Sequence, residues 1–337
     1  MKCRGLILLF CFAAVIGSAA GQTKQTALRS PSTPRLRGAT DSRSNPTVPD
    51  IQGIWNFATI TPLERPADLA EKEFFTEQEA AQYEKQVLER TNMDHRDGGA
   101  RADIERAYND FWWDRGTKVV RTLRTSLVID PPSGRIPPLT AAARERQTAR
   151  QAANRGHEFD GPENRPLFER CLMLQGAGAP TTPTAYNNNT QIVQTPGFVV
   201  IHNEMGHEAR IIPLDGRPRL PQTIRQWKGD SRGQWEGETL VVVTTSFSEK
   251  NSFRGSGPNM RLTERFRRLD SDTLLYQFTV DDPETFTQPW TVEIPLTRTP
   301  GPIFEYACHE GNYGMRGVLT GARAEEKALE ESKKKSK

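Results

Sequence analysis

One concentration of reactive side chains is the segment HNEMGH at 202–207. Alternate residues of a strand share a face, so His202 and Glu204 are predicted to point the same way, with His207 in the following turn. Imidazole and carboxylate groups together serve as divalent-metal ligands or as an acid–base pair near neutral pH. The spacing lacks the helical i, i+4 geometry of zinc proteases. Metal-free acid–base chemistry, a metal site and ordinary hydrogen bonding therefore all stay open.

A second imidazole–carboxylate pair, His309 and Glu310, directly follows Cys308. Cys308 and Cys171 are the two cysteines outside the apolar N-terminal segment, and an even pair in an oxidising compartment favours a disulfide over two separate buried thiols. A disulfide would hold His309 on a fixed piece of backbone. A divalent metal is the one cofactor that these residues suggest, with His207 and His309 as its candidate ligands. The predicted catalytic side chains are Glu204, His207, His309 and Glu310.

Aromatic and charged residues are interleaved in the segment YNDFWWDR at 108–115. Adjacent tryptophans on a helix cannot share one face, so one ring is expected to reach outward. With carboxylates and a guanidinium nearby, such rings form clefts for carbohydrate or aromatic ligands. The alternative is that the rings fasten the helix to a β core. The predicted ligand contacts are Asp110, Trp112, Trp113 and Arg115.

The polar segment YNNNT at 186–190 adds Tyr186 and Asn188 to the predicted ligand contacts. Side-chain amides bind sugars and anions, but asparagine also suits turns because it tolerates left-handed backbone. Motifs for nucleotide and serine-nucleophile chemistry are missing from the sequence. It has no Walker glycine loop, no GxSxG elbow and no dinucleotide fingerprint.

Three helices are predicted around these segments. Thr76 and Glu79 form a capping box, in which the hydroxyl and the carboxylate satisfy free amides at a helix start, and this helix continues to about Arg90. Apolar residues at helical spacing predict a second helix over 102–113. A third helix, 141–154, is rich in arginine and poor in large apolar residues, so it is predicted to lie on the surface.

The rest of the sequence is typical of short strands joined by tight turns. Period-two alternation is clearest in three successive strands near the C-terminal end, and it predicts an antiparallel meander with one face in the core. Their predicted core residues begin with Met260, Leu274 and Trp290. The earlier strands are predicted over 51–58, 125–129, 135–139, 191–194, 198–203, 210–214 and 239–247.

About ten short strands predict a mainly β domain over 51–322, closed or nearly closed into a barrel-like antiparallel meander of the lipocalin or calycin type. A β-sandwich is the alternative. The GxW segment at 53–55 is similar to the start of lipocalin-type barrels, where the tryptophan plugs the closed end. A short helical insertion over 65–115 is expected to pack against one end, with a surface helix over 140–155.

The two ends of the chain differ from this domain. Residues 1–21 have the features of a signal peptide, with a short positive region, an uncharged stretch from Gly5 to Gly17 and small residues before the cleavage point. The stretch is shorter than the roughly 20 residues that span a bilayer; an uncleaved anchor is the alternative. Residues 22–50 are predicted to be a disordered leader, since they offer little apolar surface to bury. Residues 323–337 are a charged tail.

Charge and hydropathy restrict the partners. The formal net charge is +3, and the signal region supplies part of it. The mature chain is therefore close to neutral and lacks the basic field that nucleic-acid binding requires. No later apolar run approaches membrane-spanning length. The sequence predicts a secreted or periplasmic protein with no nucleic-acid partner and no membrane span after cleavage, and it leaves the oligomeric state open.

Four segments of the sequence, taken in order, carry a resemblance to a known group of proteins. They are AYNDFWWDRG from Ala107, YNNN from Tyr186, GDSRGQWEGETLVV from Gly229 and DDPETFTQPW from Asp281. The chain resembles a large group of uncharacterised secreted proteins of soil bacteria over most of 51–324. The resemblance implies an extracytoplasmic location and one structural unit, and it implies no catalytic residue.

Three functions of different classes follow from these patterns. The leading hypothesis is that a small organic ligand binds in a barrel mouth or in a cleft beneath the helices. The second is a hydrolase, lyase or isomerase that uses the His/Glu set, with or without a metal. The third is an envelope-associated structural protein without a pocket.

Overall fold

Strands dominate the computed structural model, which describes residues 48–95, 98–105, 109–174, 176–250 and 253–336. The predicted signal peptide and nearly all of the predicted leader lie outside the described residues. The strands are β1 (Gly53–Asn56), β2 (Val128–Asp130), β3 (Asn189–Gln194), β4 (Phe198–Asn203), β5 (Glu208–Pro213), β6 (Asp230–Glu236), β7 (Thr239–Thr245), β8 (Arg261–Arg268), β9 (Thr273–Asp281) and β10 (Trp290–Thr299).

These ten strands form one antiparallel sheet. Nine of them follow the order β5-β4-β3-β1-β10-β9-β8-β7-β6, and β2 lies off this path and pairs with Thr291 and Val292 of β10. Strands β3 to β5 form one meander and β6 to β10 form another. The N-terminal strand β1 joins the two, since Trp55 is paired with Thr190 on β3 and with Arg298 on β10. The mainly β, antiparallel meander predicted from the sequence is therefore confirmed.

Alternation along the strands places one face of the sheet in the core. In β9, Leu274, Tyr276, Phe278 and Val280 are buried, and the residues between them are partly exposed. Burying a large apolar side chain contributes roughly 1.5–3 kcal/mol, so this face supplies most of the driving force for folding. The largest fully buried side chains include Trp55, Trp290, Tyr276, Phe57, Phe247 and Phe278.

The sheet is not closed into a barrel by hydrogen bonds, so a fully closed barrel is not observed, and the nearly closed, barrel-like form stays a prediction. Strands β5 and β6 are the two edges of the sheet, and no backbone ladder joins them. Side chains make the connection instead, because Arg210 on β5 donates to the Ser231 hydroxyl on β6 at 3.3 Å. The β-sandwich alternative is not observed either, since all ten strands belong to one sheet.

A polar network occupies the core side of this junction. The Arg210 guanidinium donates two hydrogen bonds to the Glu264 carboxylate of β8, at 3.0 and 2.6 Å. Glu264 also accepts from the Tyr276 hydroxyl at 2.8 Å, and that hydroxyl accepts from the Thr181 amide at 3.1 Å. Burial and the adjacent carboxylate raise the pKa of Tyr276 well above its ordinary value, so the hydroxyl remains a donor.

The described residues also form four α-helices. They are α1 (Glu77–Thr91), α2 (Gly99–Glu105), α3 (Ala141–Asn154) and α4 (Gly314–Lys335). The capping box of α1 is confirmed, because the Glu79 amide donates to the Thr76 hydroxyl and the Glu79 carboxylate accepts from the Thr76 amide. The surface helix α3 is confirmed as well. The charged tail is part of a longer helix, α4, which begins before it.

The second predicted helix, 102–113, differs from the structure. Helix α2 ends at Glu105, residues 106–108 lie outside the described residues, and a 3-10 turn covers Asp110–Trp112. The Asp110 amide donates to Asp94 at 3.0 Å, and its carboxylate accepts from the Met93 amide at 3.3 Å. These tertiary hydrogen bonds override the helical periodicity of the segment.

The predicted strand at 135–139 is also wrong. Pro137 and Pro138 have no amide hydrogen to donate, so the segment cannot form a regular ladder. In this segment, the Ile136 amide donates to the Glu64 carboxylate at 2.9 Å. Leu139 is joined to Phe286 by an isolated bridge and not by a strand ladder.

A disulfide joins Cys171 to Cys308, as predicted, with 5.8 Å between their Cα atoms and a sequence separation of 137. Such a bond is compatible with an oxidising, extracytoplasmic location. Within the described ranges, no helix combines the length and apolar character needed to cross a membrane.

The junction between β5 and β6 gives a stability prediction. Arg210→Met leaves Glu264 buried without its cation, so we expect the free energy of unfolding to fall by about 3–5 kcal/mol. Arg210→Met/Glu264→Leu, which removes both charges, should be less destabilised than the single variant. The measurement is urea unfolding followed by circular dichroism.

The matched control is Arg217→Met, which breaks the exposed ion pair of Arg217 with Asp215. Its unfolding should stay close to that of the wild type, because exposed pairs contribute little. Equal unfolding midpoints for Arg210→Met and Arg217→Met would show that the buried pair does not stabilise the junction.

Candidate functional site

Three aromatic rings from distant parts of the chain form a row. The Trp113 indole meets the Tyr186 ring edge-on, with 6.2 Å between centroids. Tyr186 in turn stacks on Tyr306, with 6.5 Å between centroids and 10° between planes. The structure thus brings together Trp113 and Tyr186, two of the predicted ligand contacts. We call these three rings the aromatic row.

Trp113 also lines a cleft of about 570 Å³ beside the last turn of α1. The Arg115 guanidinium lies over the Trp113 ring, 5.0 Å from its centroid, and donates to Asp110 at 3.0 Å. The Nε1–H of Trp113 is buried, and no described residue accepts its hydrogen bond. We call this space the aromatic cleft. It offers a ring face, a charged pair and an unused donor.

Gly116 lets this segment approach the chain that follows β1. Its φ is +83°, and a Cβ there would lie 2.8 Å from the Thr59 amide nitrogen and 2.9 Å from the Ala58 carbonyl carbon. Both the backbone conformation and the lack of space exclude a larger residue. The position of Trp113 and Arg115 therefore depends on this glycine.

Asn188 fixes the loop that carries Tyr186. The Asn188 side chain is fully buried; its oxygen accepts from the Thr184 amide at 2.8 Å, and its amide group donates to the carbonyl oxygens of Thr184 and Asp114. The Asp114 amide donates back to the Ala185 carbonyl at 2.9 Å. Asn188 thus ties the loop of Tyr186 to the segment of Trp113, which positions the walls of the cleft.

Two carboxylates lie near this connection. Burial raises the pKa of Asp114, and the negative charge of Glu204 raises it further, against the lowering effect of a hydrogen bond from the Asn188 backbone amide to the Asp114 carboxylate. Glu204 itself is 2 % exposed and accepts from Asn187, from Asn189 and from the Phe304 amide. The Glu204 carboxylate therefore holds the 187–189 loop to the C-terminal segment.

Trp112 lies outside the cleft. Its side chain is 63 % exposed and packs edge-on against Phe111, which is 82 % exposed, with 5.3 Å between their centroids. The expectation that one of the two adjacent tryptophans reaches outward describes Trp112. Its role as a ligand contact stays a prediction.

The histidines of the 202–207 segment form a pair of their own. The rings of His202 and His207 meet edge-on with 4.6 Å between centroids, across the 3-10 turn Met205–His207. Burial lowers the pKa of His202, and the nearby His207 and Lys228 lower it further, against the raising effect of a hydrogen bond with the His207 backbone. Among the described residues, the contacts of His207 involve His202 and the Glu204 carbonyl, and none involves His309.

His309 and Glu310 are exposed beside the disulfide. Glu310 lines a cavity of about 470 Å³ that Tyr306 and Asn187 also line, and His309 does not line it. Within the described part of the chain, no group of three or more His, Cys, Asp or Glu side chains is arranged to hold a metal ion. The catalytic and metal-binding roles of these residues stay predictions.

The structure adds residues that the sequence did not single out. Tyr306 extends the aromatic row, and Lys228 lies near the histidine pair. Neither belongs to a pattern with a chemical meaning of its own. Both come from segments far from their partners in sequence, so only the folded chain identifies them.

The low pKa of His202 gives a pH prediction. The native state favours the neutral imidazole, so the unfolded state binds the proton more readily below its ordinary pKa of 6.5. The contribution of this neutral imidazole to stability should therefore be fully present above pH 6.5. It should be lost as the pH decreases from 6.5 through the lowered pKa. In His202→Gln the loss between pH 7.5 and 5 should be smaller. The measurement is the urea midpoint across that range.

His157→Gln is the control, because this histidine is exposed and pairs only with the nearby Asp160. It should leave the acid-induced loss as it is in the wild type. An unchanged loss in His202→Gln would contradict the assignment of the effect to this imidazole.

Comparison with known proteins adds no assignment. No protein-family model matches the chain, and no curated protein matches it. The resemblance to secreted proteins of soil bacteria therefore stays a prediction. The functional conclusion depends on the aromatic cleft and on the side chains around it.

Proposed function

We propose that this protein acts outside the cytoplasm and binds a small organic ligand with a sugar or aromatic ring in the aromatic cleft. The Cys171–Cys308 disulfide and the signal-peptide features of residues 1–21 support the location. The resemblance to secreted proteins of soil bacteria agrees with it. Binding is favoured over a structural role because the surface carries a cleft of about 570 Å³, a volume within the range of small-molecule sites.

The observation that carries the proposal is the chemistry of Trp113. The Arg115 guanidinium lies over one face of its ring, and its buried Nε1–H has no acceptor among the described residues. Leaving such a donor unpaired costs roughly 1–3 kcal/mol, so a ligand oxygen that accepts from it regains this energy. The Asp110 carboxylate and the Arg115 guanidinium supply an acceptor and donors for ligand hydroxyl groups.

The fold is interpreted as an incomplete barrel. The side-chain bond between Arg210 and Ser231 brings the two edges of the sheet together. Trp55 is fully buried, and the guanidinium groups of Arg268 and Arg298 lie over its ring at 5.8 and 5.7 Å. A buried tryptophan on the first strand agrees with the similarity of the GxW segment to lipocalin-type barrels. Fold similarity alone does not identify a ligand.

The ligand class can be tested by calorimetric titration with two probes, 4-hydroxybenzoate for aromatic ligands and maltotriose for carbohydrates. We expect one of them to bind, and we expect Trp113→Ala and Arg115→Ala, which both truncate side chains that line the cleft, to weaken that binding by about tenfold or more, which corresponds to about 1.4 kcal/mol. Quenching of tryptophan fluorescence should accompany binding in the wild type.

Phe111→Ala is the matched control, because it removes a neighbouring exposed ring that does not line the cleft. It should bind the probe as the wild type does. Equal weakening in all three variants would mean that the effect is not local to the cleft. Binding of neither probe would contradict the proposed ligand class.

A further inference from the structure

A groove of about 760 Å³ lies along the open junction between β5 and β6. Its walls come from these two strands, from the 225–229 segment that leads into β6 and from residues just after β7. The 225–229 segment is held in place by two backbone hydrogen bonds, one from the Gln226 amide to the Ser246 carbonyl and one from the Ser248 amide to the Gln226 carbonyl. We call this space the seam groove. It is separate from the aromatic cleft, and no residue lines both.

The seam groove is lined by more cationic than anionic side chains. Two of its cations, Arg232 and Lys228, have carboxylate partners in Asp230 and Glu208. Two others have none among the described residues. Arg225 donates only to neutral oxygens, the Pro258 carbonyl and the Asn259 side chain, and Lys250 has no side-chain partner there. The groove therefore carries uncompensated positive charge.

Arg210 adds a buried donor to this wall. It lines the groove, it is 6 % exposed, and its two terminal nitrogens are used by Glu264 and Ser231. Its Nε–H is buried and has no acceptor among the described residues. Buried donors in native proteins are almost always paired, so an unpaired one at the wall of a groove indicates a missing acceptor.

Lys228 is the second buried donor. It is 7 % exposed, and its ammonium donates to the Ala177 carbonyl at 2.8 Å and pairs with Glu208 at 2.7 Å. An ammonium group has three hydrogens, so these two contacts leave one of them for a further acceptor. Lys228 and Arg210 interact electrostatically, and both line the groove.

We propose that the seam groove is a binding site for a small anion that carries a carboxylate or phosphate group. The oxyanion accepts hydrogen bonds from the Arg210 Nε–H and the Lys228 ammonium, and Arg225 and Lys250 neutralise its charge. Guanidinium and ammonium groups together are the donors that recognise such oxyanions. This site does not depend on the ligand proposed for the aromatic cleft.

The test is calorimetric titration of the mature protein with inorganic phosphate and, separately, with succinate, at constant ionic strength. We expect at least one of the two anions to bind, and the stronger one identifies the oxyanion type. Lys228→Met should weaken binding by about tenfold or more, since it removes a buried donor. Arg225→Gln and Lys250→Gln should each weaken it by a smaller factor, because these side chains contribute charge from the rim. Arg210 is left intact, since its loss would disturb the core.

Arg265→Gln is the control variant, because Arg265 forms an exposed pair with Glu236 and does not line the groove. It should bind both anions as the wild type does. Thermal unfolding of each variant shows whether it is folded. If Lys228→Met does not fold, Arg225→Gln and Lys250→Gln still test the proposal. Binding that none of these folded variants weakens, or no binding of either anion, would overturn the proposal.

Discussion

The buried ion pair between Arg210 and Glu264 is the constraint on which the shape of the sheet depends. A sheet with two unpaired edges must either close, cover its edges or leave backbone groups exposed. Here the arginine of one edge strand reaches a carboxylate in the middle of the other meander. Removing these charges from water is costly, and hydrogen bonds from Tyr276 and to Ser231 help to offset the cost. The edges are thereby held together without a backbone ladder.

Sequence reasoning succeeded where the determinants are local. The capping box at Thr76 and the period-two alternation of the last three strands depend on neighbouring residues, and the structure has them where they were expected. It failed where distant contacts decide, as at Asp110, which lies in a 3-10 turn and is hydrogen-bonded to Asp94 and Met93. Glu264 is a carboxylate on the otherwise apolar face of β8, and no local sequence pattern identifies Arg210 as its cationic partner.

The candidate sites show the same division. Trp113 and Tyr186 were singled out because their residue types suit ligand binding, but their contact arises from Asn188, which joins the two segments. Next to it, the 177–181 segment supports the polar core, because the Ala177 carbonyl accepts from both Asn203 and Lys228. The stretch 177–188 therefore contacts both sites, through the bond of Asn188 to Asp114 in the aromatic cleft and the bond of Lys228 in the seam groove to the Ala177 carbonyl.

The two sites differ in how far their side chains are ordered before a ligand arrives. In the seam groove, Arg210 is held by Glu264, Lys228 by Glu208 and Arg232 by Asp230. Ordering a long cationic side chain costs conformational entropy, and these three have already lost that freedom in the folded protein. The same carboxylates lower the net charge that an anion meets, so selectivity in the groove depends on buried geometry more than on attraction at a distance. In the aromatic cleft the preorganised element is a ring, which has few rotamers to lose, and this favours stacking over charge as the main source of affinity there.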